Sequence, residues 1–421
     1  MSVIQAVRGT KDILPDEILK WHKLEEIARK VSANYGYKEL RTPIFEKTEV
    51  FTRGVGDGTD IVNKEMYSFL DRGGESITLR PEQTAAIVRA VIQNNLLKEN
   101  STTRLYYIGQ YFRYERPQKG RLREFHQYGA ECINSPYPES DAEVICLAVS
   151  LINKLGITDY KLRLNSLGNE ISRTNYRNVL INFLESNKEK LSEESKARLT
   201  TNPLRILDSK NPIDIEITTK APNILDSLDN ESIEHFDEVK KLLTASDINY
   251  EISPNLVRGL DYYSHTVFEF QSTYLGAQDA FGGGGRYNSL FKELGGKDTP
   301  AVGFAMGIER LLLILEQIEQ QEMENLKDLI DVIIVPTSEK HLDTAMRVAN
   351  IVRNKLELSC LVDVNRRSMK SQLREGNKWE VMWALIIGDD EAATDSVTVK
   401  YMMEKIEQSS IKIEDIVKQN W

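Results

Sequence analysis

The chain has 421 residues, of which 41% are hydrophobic and 28% are charged, as expected for a globular protein of about two to three domains. Its formal net charge of −10 argues against a protein that coats nucleic acid or anionic membrane with its whole surface. The sequence holds no run of about 18 apolar residues, and Arg8 interrupts the N-terminal stretch before a signal-like segment forms. Three widely spaced cysteines form no metal-ligand motif, which indicates a cytoplasmic protein without a metal site.

The N-terminal part alternates helix-like and strand-like segments. Apolar residues recur at helical spacing from Asp16 to Tyr35, just before Gly36, and predict a helix. Strand-like runs follow at LRTPIF and SITLRP, and a second helical run follows at TAAIVRAVIQNNLL. Four further strand-like runs are TRLYYIGQYFRYE, FHQYGAECI, YKLRLNSL and HTVFEFQS. The first two flank the polar stretch ERPQKGRLRE, which predicts a hairpin or a strand, loop and strand.

Changes in composition along the chain predict an inserted segment and a domain boundary. Residues from about 173 to 248 are polar and charged, and they predict an inserted helical segment. After the amphipathic helix GFAMGIERLLLILEQIEQ the sequence changes to the apolar VIIVPTS, so we place a domain boundary near Asp328. The first domain is predicted over 1–325 and the second over 329–421. Alternating strand-like and helical runs predict that the second is an α/β domain with a mostly parallel sheet and a final helix.

A basic stretch between two predicted strands is the strongest chemical signal. From Arg113 to Arg123 the chain carries five basic residues and one acid, Glu115. The planar guanidinium of arginine bonds two phosphate oxygens at once and keeps its charge throughout a reaction. The stretch therefore predicts an anion site, and a solvated basic loop is the alternative.

Three other segments are weaker on their own. AVGFAMGIERLLLIL carries Arg310 at a helix start, where a surface arginine paired with Glu309 is the alternative to a phosphate ligand. NLVRGLDYYSHTVFEF places Arg258 before a turn and two tyrosines, and a packed tyrosine-rich strand is its alternative. LRPEQTAAIVRA carries Glu82 and Thr84 at a helix start, where a helix cap at Thr84 is the alternative to ligand binding.

The glycine run from Gly282 to Gly285 precedes Arg286 and Tyr287. It lacks the Lys-Ser/Thr of a P-loop and the spacing of a dinucleotide-binding fingerprint, so both of those nucleotide folds are excluded. Two interpretations stay open: the glycines let the backbone approach a ligand closely, or they form a turn.

In their order and spacing, these segments together resemble the class II histidyl-tRNA synthetases. YFRYE with EFHQYGAE resembles class II motif 2, AVGFAMGIERLLL resembles motif 3, and GYKELRTPIFE, with Pro43, resembles the dimer-forming motif 1. RGLDYYSHTVFEF and FGGGGRYN resemble the two histidine-specific signatures, and RGTKDILP resembles the family's opening. The resemblance covers nearly the whole chain except about 173–248. It implies an α+β fold, with a catalytic domain built on an antiparallel sheet with helices and a C-terminal α/β anticodon-binding domain.

The resemblance also implies a chemistry. A carboxylate attacks the α-phosphorus of ATP to give an aminoacyl adenylate, and the acyl group then moves to a tRNA ribose hydroxyl. Because two anions must approach each other, cationic donors are the main catalytic need. By resemblance, Arg113 binds the α-phosphate and the substrate carboxylate, Arg258 holds the α-phosphate from the other side, and Arg310 grips the γ-phosphate. These three are the predicted catalytic residues.

The same resemblance assigns further ATP contacts. Arg121 helps Arg310 at the γ-phosphate, Glu115 meets the adenine amino group, and Phe125 stacks on the adenine ring. ATP is a substrate that brings its own Mg²⁺.

For histidine, a selective pocket should pair the imidazole with an acceptor and a hydroxyl, and Glu131 and Tyr263 fit these roles. The resemblance implies four further histidine contacts, three at the α-amino group and one lining the pocket: Glu82, Thr84 and Gln127, and Tyr262. His126, next to Gln127, is expected to be an oriented structural residue rather than a base.

The implied partners are L-histidine, ATP, histidine tRNA and a second copy of the chain in a homodimer. Arg116 and Gln118 resemble the residues that meet the tRNA acceptor end. A basic set near one helix of the C-terminal domain is expected to contact tRNA, with a solvated helix face as the alternative: Arg366, Arg367, Lys370, Arg374 and Lys378.

Two positions depart from the family pattern. Gln83 stands where the family usually has Gly, and Asn288 where it usually has Asp. The main rival reading is a non-catalytic histidine- or tRNA-sensing paralogue. Such relatives tend to lose catalytic arginines or the C-terminal domain, whereas this chain keeps both. A class II synthetase for glycine, proline or threonine is a second rival, against which RGLDYYSHTVFE argues.

Overall fold

A computed structural model describes residues 3–56, 59–276, 279–318, 330–404, 406–419 and 421. The chain divides into two units, Met1–Glu324 and Asn325–Trp421, and each has its own sheet and core. The boundary predicted near Asp328 lies outside the described residues. Within those described ranges, no helix is long and apolar enough to cross a membrane.

The first unit contains ten α-helices and eleven strands among its described residues. The helices are α1 Pro15–Asn34, α2 Thr48–Val55, α3 Thr84–Gln93, α4 Pro138–Lys154, α5 Glu170–Glu185, α6 Glu193–Thr201, α7 Pro212–Thr218, α8 Asn230–Ala245, α9 Leu290–Glu293 and α10 Ile308–Ile318. The strands are β1 Lys38–Glu39, β2 Phe45–Lys47, β3 Tyr67–Leu70, β4 Ser76–Leu79, β5 Thr103–Phe112, β6 Glu124–Ile133, β7 Lys161–Ser166, β8 Glu251–Ile252, β9 Ser264–Gln271, β10 Ala280–Arg286 and β11 Ala301–Gly307.

The main sheet has eight strands in the order β1-β5-β6-β11-β10-β9-β7-β8. The six central strands pair antiparallel, and β1 and β8 add parallel edges. The antiparallel sheet with helices that was predicted for the catalytic domain is therefore confirmed. β5 and β6 form a long hairpin, and the basic stretch of residues 113–123 is its loop.

The glycine run lies inside strand β10 and makes no turn. A Cβ atom on Gly284 would lie 1.9 Å from the carbonyl oxygen of Gly303 on β11. A Cβ atom on Gly303 would in turn lie 1.6 Å from Oε2 of Glu131 on β6. Bare backbone at these positions is what lets a large buried carboxylate lie against the neighbouring strand.

The strand predicted at LRTPIF is wrong over most of its length. Residues 40–44 form no strand, and they link β1 in the main sheet to β2 in a separate three-stranded sheet of order β2-β4-β3. Pro43 lies in this link, where it has no N–H to donate to a strand ladder.

Helices α5 to α8 lie between β7 and β8 in the sequence. All four begin with a side-chain cap; for example, Asn169 accepts from the backbone N–H of Ser172 at 3.0 Å, and Asp229 from that of Ser232 at 3.1 Å. The buried apolar side chains of α5, α6 and α7 belong to the same core cluster as Tyr262. These three helices therefore share a core with the segment that carries Arg258.

The second unit is an α/β unit built on five strands. Its elements are β12 Val332–Pro336, α11 Leu342–Lys355, β13 Cys360–Val362, α12 Met369–Lys378, β14 Trp383–Ile387, α13 Asp389–Ala393, β15 Ser396–Tyr401 and β16 Ser409–Lys412. The strand order is β13-β12-β14-β15-β16.

The prediction of a mostly parallel sheet in this unit is wrong. β12 pairs parallel with β13 and β14, but β15 and β16 pair antiparallel. Only residues 388–395 connect β14 to β15, and a parallel neighbour needs a crossover of about a dozen residues or more. The predicted final helix is replaced by β16 and a short 3₁₀ helix at Ile413–Lys418.

Candidate active site

A cavity of about 290 Å³ lies on the main sheet of the first unit. Its wall comes from β6, β10, β11, the start of α3, the hairpin loop and the segment before β9. Most of the predicted substrate residues line it: Glu82, Thr84, Arg113, Glu115, Arg121, Phe125, Gln127, Arg258, Tyr262, Tyr263 and Arg310. Arg116 and Gln118 are exposed on the hairpin loop, outside this lining.

The guanidinium groups in the cavity are held by protein atoms. Arg113 donates from Nε to the carbonyl oxygen of Pro81 at 2.9 Å, and its guanidinium lies 5.3 Å from the centre of the Phe125 ring. Arg121 pairs with Glu115 at 3.1 Å. Both residues predicted to meet adenine, Glu115 and Phe125, therefore contact arginines here.

Arg258 is held by strand β9, and Arg310 is held by the hairpin loop and strand β10. Arg258 pairs through Nη1 with Oε2 of Glu269 at 2.6 Å, and its buried Nε has no hydrogen-bond partner among the described residues. Arg310 donates from Nε to the carbonyl oxygen of Gly120 at 3.0 Å and also bonds the carbonyl oxygen of Ala280. Burial is the main cause that lowers the pKa of Arg310, and the nearby positive charge of Arg121 lowers it further.

The start of α3 carries the carboxylate of Glu82. Its oxygens accept from the backbone N–H groups of Thr84 at 2.7 Å and of Ala85 at 2.9 Å. Glu82 thus caps the helix, and the cap considered for Thr84 is wrong. The hydroxyl of Thr84 instead donates to Oε1 of Glu131 at 2.9 Å. Burial raises the pKa of Glu82, although the backbone donors lower it.

Glu131 lies just behind the cavity wall and is 1% exposed. Besides Thr84, it accepts from the hydroxyl of Tyr287 at 2.6 Å and from that of Tyr107 at 3.3 Å. Burial raises its pKa to about 8, and the hydrogen bonds from Tyr287 and Thr84 oppose that rise. Glu131 therefore lies in an environment from which water is excluded. The pKa of its carboxyl group there depends on the hydroxyl groups that donate to it.

Sequence reasoning missed Tyr107 and Tyr287 as site residues. Tyr287 follows the glycine run, and its ring lies 5.6 Å from that of Tyr262. Tyr262 in turn lies 4.7 Å from Tyr263, and both are buried. A tyrosine directly after FGGGGR was a usable signal for Tyr287, whereas Tyr107 sits in an ordinary strand pattern.

His126 connects β6 to α10. Its Nδ1 lies 2.8 Å from Oε1 of Glu309, which also accepts from the backbone N–H of His126 at 2.9 Å. The ring packs edge-on against Trp21 with centroids 4.8 Å apart. Because Glu309 precedes Arg310, this link fixes the start of the helix that carries that arginine.

Of the two unusual positions, Gln83 is buried and Asn288 is partly buried. Gln83 is 2% exposed, donates from Nε2 to Oγ1 of Thr42 at 3.0 Å and accepts from the hydroxyl of Tyr111 at 3.0 Å. Asn288 has a buried Oδ1 with no hydrogen-bond partner in the described part of the chain.

Two family models match the chain. The model described as histidyl-tRNA synthetase matches residues 9–311, and the model described as anticodon binding domain matches residues 331–419. The chain belongs to the histidyl-tRNA synthetase family. The matched ranges place the cavity in the synthetase part.

Relatives in this family are similar over nearly their full length. A histidine--tRNA ligase of Acaryochloris marina is 47% identical over 416 residues, covering 99% of this chain and 95% of the relative. A histidine--tRNA ligase of Listeria innocua is 46% identical over 417 residues, covering 98% and 97%. The crystal structure of apo S. aureus histidyl-tRNA synthetase has a TM-score of 0.81 at 35% identity and covers 99% of each chain. These relatives give no support to a non-catalytic sensor.

In the second unit, the predicted basic set is partly neutralised. Arg367 pairs with Asp363 at 2.5 Å and with Glu375 at 3.2 Å, and Arg366 pairs with Glu339 at 2.9 Å. The other three members, on α12, are exposed: Lys370, Arg374 and Lys378.

Proposed function

We propose that the cavity of the first unit activates L-histidine with ATP to histidyl-adenylate and transfers the histidyl group to histidine tRNA. One observation carries the proposal: the buried carboxylate of Glu131 sits at the wall of a cavity that also collects Arg113, Arg258 and Arg310. A dry acceptor suits a neutral ring N–H, and the arginines suit a triphosphate. Both substrates of the activation step are thereby matched in one place.

The cavity recognises histidine through its imidazole ring and its α-amino group. We assign the imidazole N–H to Glu131 and the second ring nitrogen to the hydroxyl of Tyr263, with Tyr262 lining the pocket. Glu82 is buried and keeps lone pairs free beside its two backbone donors, so it can accept from the α-ammonium together with Thr84 and Gln127. A site that hydrogen-bonds a substrate ring rejects analogues without that group by roughly 10⁴ to 10⁵.

ATP is held by charge. Arg113 and Arg258 face the α-phosphate and Arg310 the γ-phosphate, so that the incoming histidine carboxylate meets a neutralised phosphorus. Arg121 assists at the γ-phosphate, and ATP enters with its Mg²⁺. For adenine to reach Phe125 and Glu115, the contacts of these residues with Arg113 and Arg121 must open or rearrange.

The tRNA contacts are assigned to exposed polar and basic side chains. Arg116 and Gln118 lie exposed on the hairpin loop beside the cavity, where an acceptor end can reach them. The exposed lysines and arginine of α12 suit the phosphates of the anticodon region.

We also infer that the protein is a homodimer in the cytoplasm. Several apolar side chains of the three-stranded sheet and the chain before it are exposed: Ile44 at 41%, Phe45 at 56%, Phe69 at 50% and Leu70 at 71%. A second copy would cover this apolar surface. Light scattering should give the dimer mass, and Phe45→Lys should shift it towards the monomer; a monomeric wild type would contradict this part.

The activity is tested by ATP–pyrophosphate exchange with each of the twenty amino acids in turn. Histidine should support exchange far above the other nineteen. Exchange with no amino acid, or exchange led by another one, would contradict the proposed function.

A further inference from the structure

A second cavity, of about 250 Å³, lies on the other side of the segment that carries Arg258. Its wall combines α5, the 3₁₀ helix Pro203–Asp208 and residues 257–263. Arg258, Leu260 and Tyr263 line both this cavity and the active-site cavity. One stretch of chain therefore separates the two spaces.

Arginines dominate the charge of this second cavity. It is lined by Arg173, Arg177 and Arg205 against the single carboxylate of Asp261, and Arg258 is already paired with Glu269. Three cations less one anion leave an excess of two positive charges. The helix α5 presents two of the arginines, Arg173 and Arg177, one turn apart.

These guanidinium groups are poorly compensated. Within the described ranges, neither Arg173 nor Arg177 pairs with a carboxylate within 4.0 Å. Arg173 has one long bond, 3.5 Å from Nη2 to the carbonyl oxygen of Asp261, and burial lowers its pKa. Arg205 lies 3.7 Å from Oδ2 of Asp60, an oxygen that Arg198 holds more closely at 3.0 Å.

The one carboxylate of the cavity is already engaged. Oδ1 of Asp261 accepts from Nδ2 of Asn202 at 2.8 Å. Its other oxygen abuts Gly56, where an added Cβ would lie 2.9 Å away. Asp261 is thus held by its own neighbours, and the excess positive charge faces the cavity.

We propose that Arg173, Arg177 and Arg205 form a second phosphate-binding site, separate from the ATP cavity. Each planar guanidinium group can bond two phosphate oxygens at once. The apolar part of the lining, which includes Leu167 and Leu204, reduces the screening of the arginine charges by water. The ligand is a phosphate group, carried either by free inorganic phosphate or by a phosphodiester near the 3′ end of tRNA. The tRNA source rests on the proposed function, whereas the phosphate chemistry does not.

The binding test uses the full-length enzyme with its active-site cavity filled by ATP and histidinol, which lacks the carboxylate of histidine and cannot react. Binding of this pair is measured first, so a failure of the proposed function shows at that step. Inorganic phosphate is then titrated by calorimetry at low ionic strength. Wild type should bind one phosphate per chain, and Arg177→Gln and Arg205→Gln should each weaken binding by about tenfold.

Two further variants control this result. Arg72→Gln, in the exposed turn between β3 and β4, removes the same charge elsewhere and should leave phosphate binding unchanged. Arg173→Lys keeps the charge but loses the fork, and should cause a smaller loss than Arg177→Gln. Absence of phosphate binding in wild type, or equal binding by wild type and both glutamine variants, would overturn the proposal.

Kinetics separate the two sources of phosphate. If tRNA supplies it, Arg177→Gln should raise the KM for tRNA about tenfold and leave ATP–pyrophosphate exchange unchanged. An unchanged KM for tRNA, with phosphate binding still lost in the variant, assigns the site to free phosphate. Arg177 is exposed on α5, so its replacement leaves the core packing intact.

Discussion

The hydroxyl of Tyr287 donates to Oε2 of Glu131 at 2.6 Å, across 156 residues of sequence. Tyr287 follows the glycine strand, and Glu131 lies two strands away on β6, with Gly303 of β11 between them. The absence of a side chain at Gly303 makes room for the carboxylate. Strand pairing, the bare backbone of Gly303 and the hydroxyl of Tyr287 therefore together hold the side chain of Glu131 in place.

Replacement of Tyr287 by Phe should weaken histidine binding. Glu131 would lose its shortest donor, and leaving a buried polar group without its partner costs about 1 to 3 kcal/mol. The KM for histidine in ATP–pyrophosphate exchange should rise at least about tenfold, with the KM for ATP within about twofold. Tyr176→Phe is the matched control, because Tyr176 is a buried tyrosine whose hydroxyl donates to the carbonyl oxygen of Pro222. An unchanged KM for histidine would refute the role of Tyr287.

The stability of the empty enzyme should depend on pH through Glu131. Its pKa is raised to about 8, so between its usual value near 4.5 and about 8 the folded state holds a proton that the unfolded state releases. The free energy of unfolding should therefore fall as pH rises through this window, by up to about 1.4 kcal/mol per pH unit.

Glu131→Gln isolates this effect from that of Glu82, whose pKa is also raised by burial. Thermal unfolding of both proteins from pH 5 to 8 should show wild type losing stability relative to the variant. Parallel curves across that range would mean that Glu131 ionises as an ordinary glutamate does.

The sequence predicted which residues meet better than it predicted their contacts. Arg113 was singled out because its basic stretch suits an anion, Arg258 and Arg310 were assigned by resemblance, and the structure brings all three to one cavity. The helix cap was misjudged because Thr84 and Glu82 both have acceptors within reach of the helix start, and only the fold gives Thr84 the alternative partner Glu131. Local patterns do not reveal such partners, since they depend on strand pairing between distant residues.

The mixed sheet of the second unit was missed for a related reason. Alternating strands and helices normally mean parallel strands, but the connection that contains α13 is too short for a crossover. The length of that connection was visible in the sequence, whereas the partner strand β16 had no distinct signal.

Arg258→Ala should lower the rate of ATP–pyrophosphate exchange by on the order of 10² to 10³, as the loss of one preorganised cationic donor does. The single variant also leaves Glu269 without its arginine partner, and the effect of this unpaired carboxylate on the exchange rate has to be told apart from the loss of the guanidinium. The double variant with Glu269→Gln removes that unpaired charge, and it should stay as slow as the single variant. Exchange within a few-fold of wild type in the single variant would remove Arg258 from the chemistry.

The salt dependence of tRNA binding tests helix α12. A protein that neutralises phosphates releases counterions, so its affinity falls with salt by a slope of about 0.7 to 0.9 per contact. The triple variant K370Q/R374Q/K378Q should make this slope shallower by about two. Arg366 and Arg367 are left in place, because acidic partners already neutralise them.

The matched control for helix α12 is K340Q/K355Q/K412Q, which removes three exposed lysines elsewhere on the same unit. It carries the same change in net charge, so a general electrostatic effect would shift both triple variants equally. Filter binding of histidine tRNA from about 50 to 200 mM salt measures the slopes. Equal slopes for the two variants would assign the basic side chains of α12 to a solvated surface.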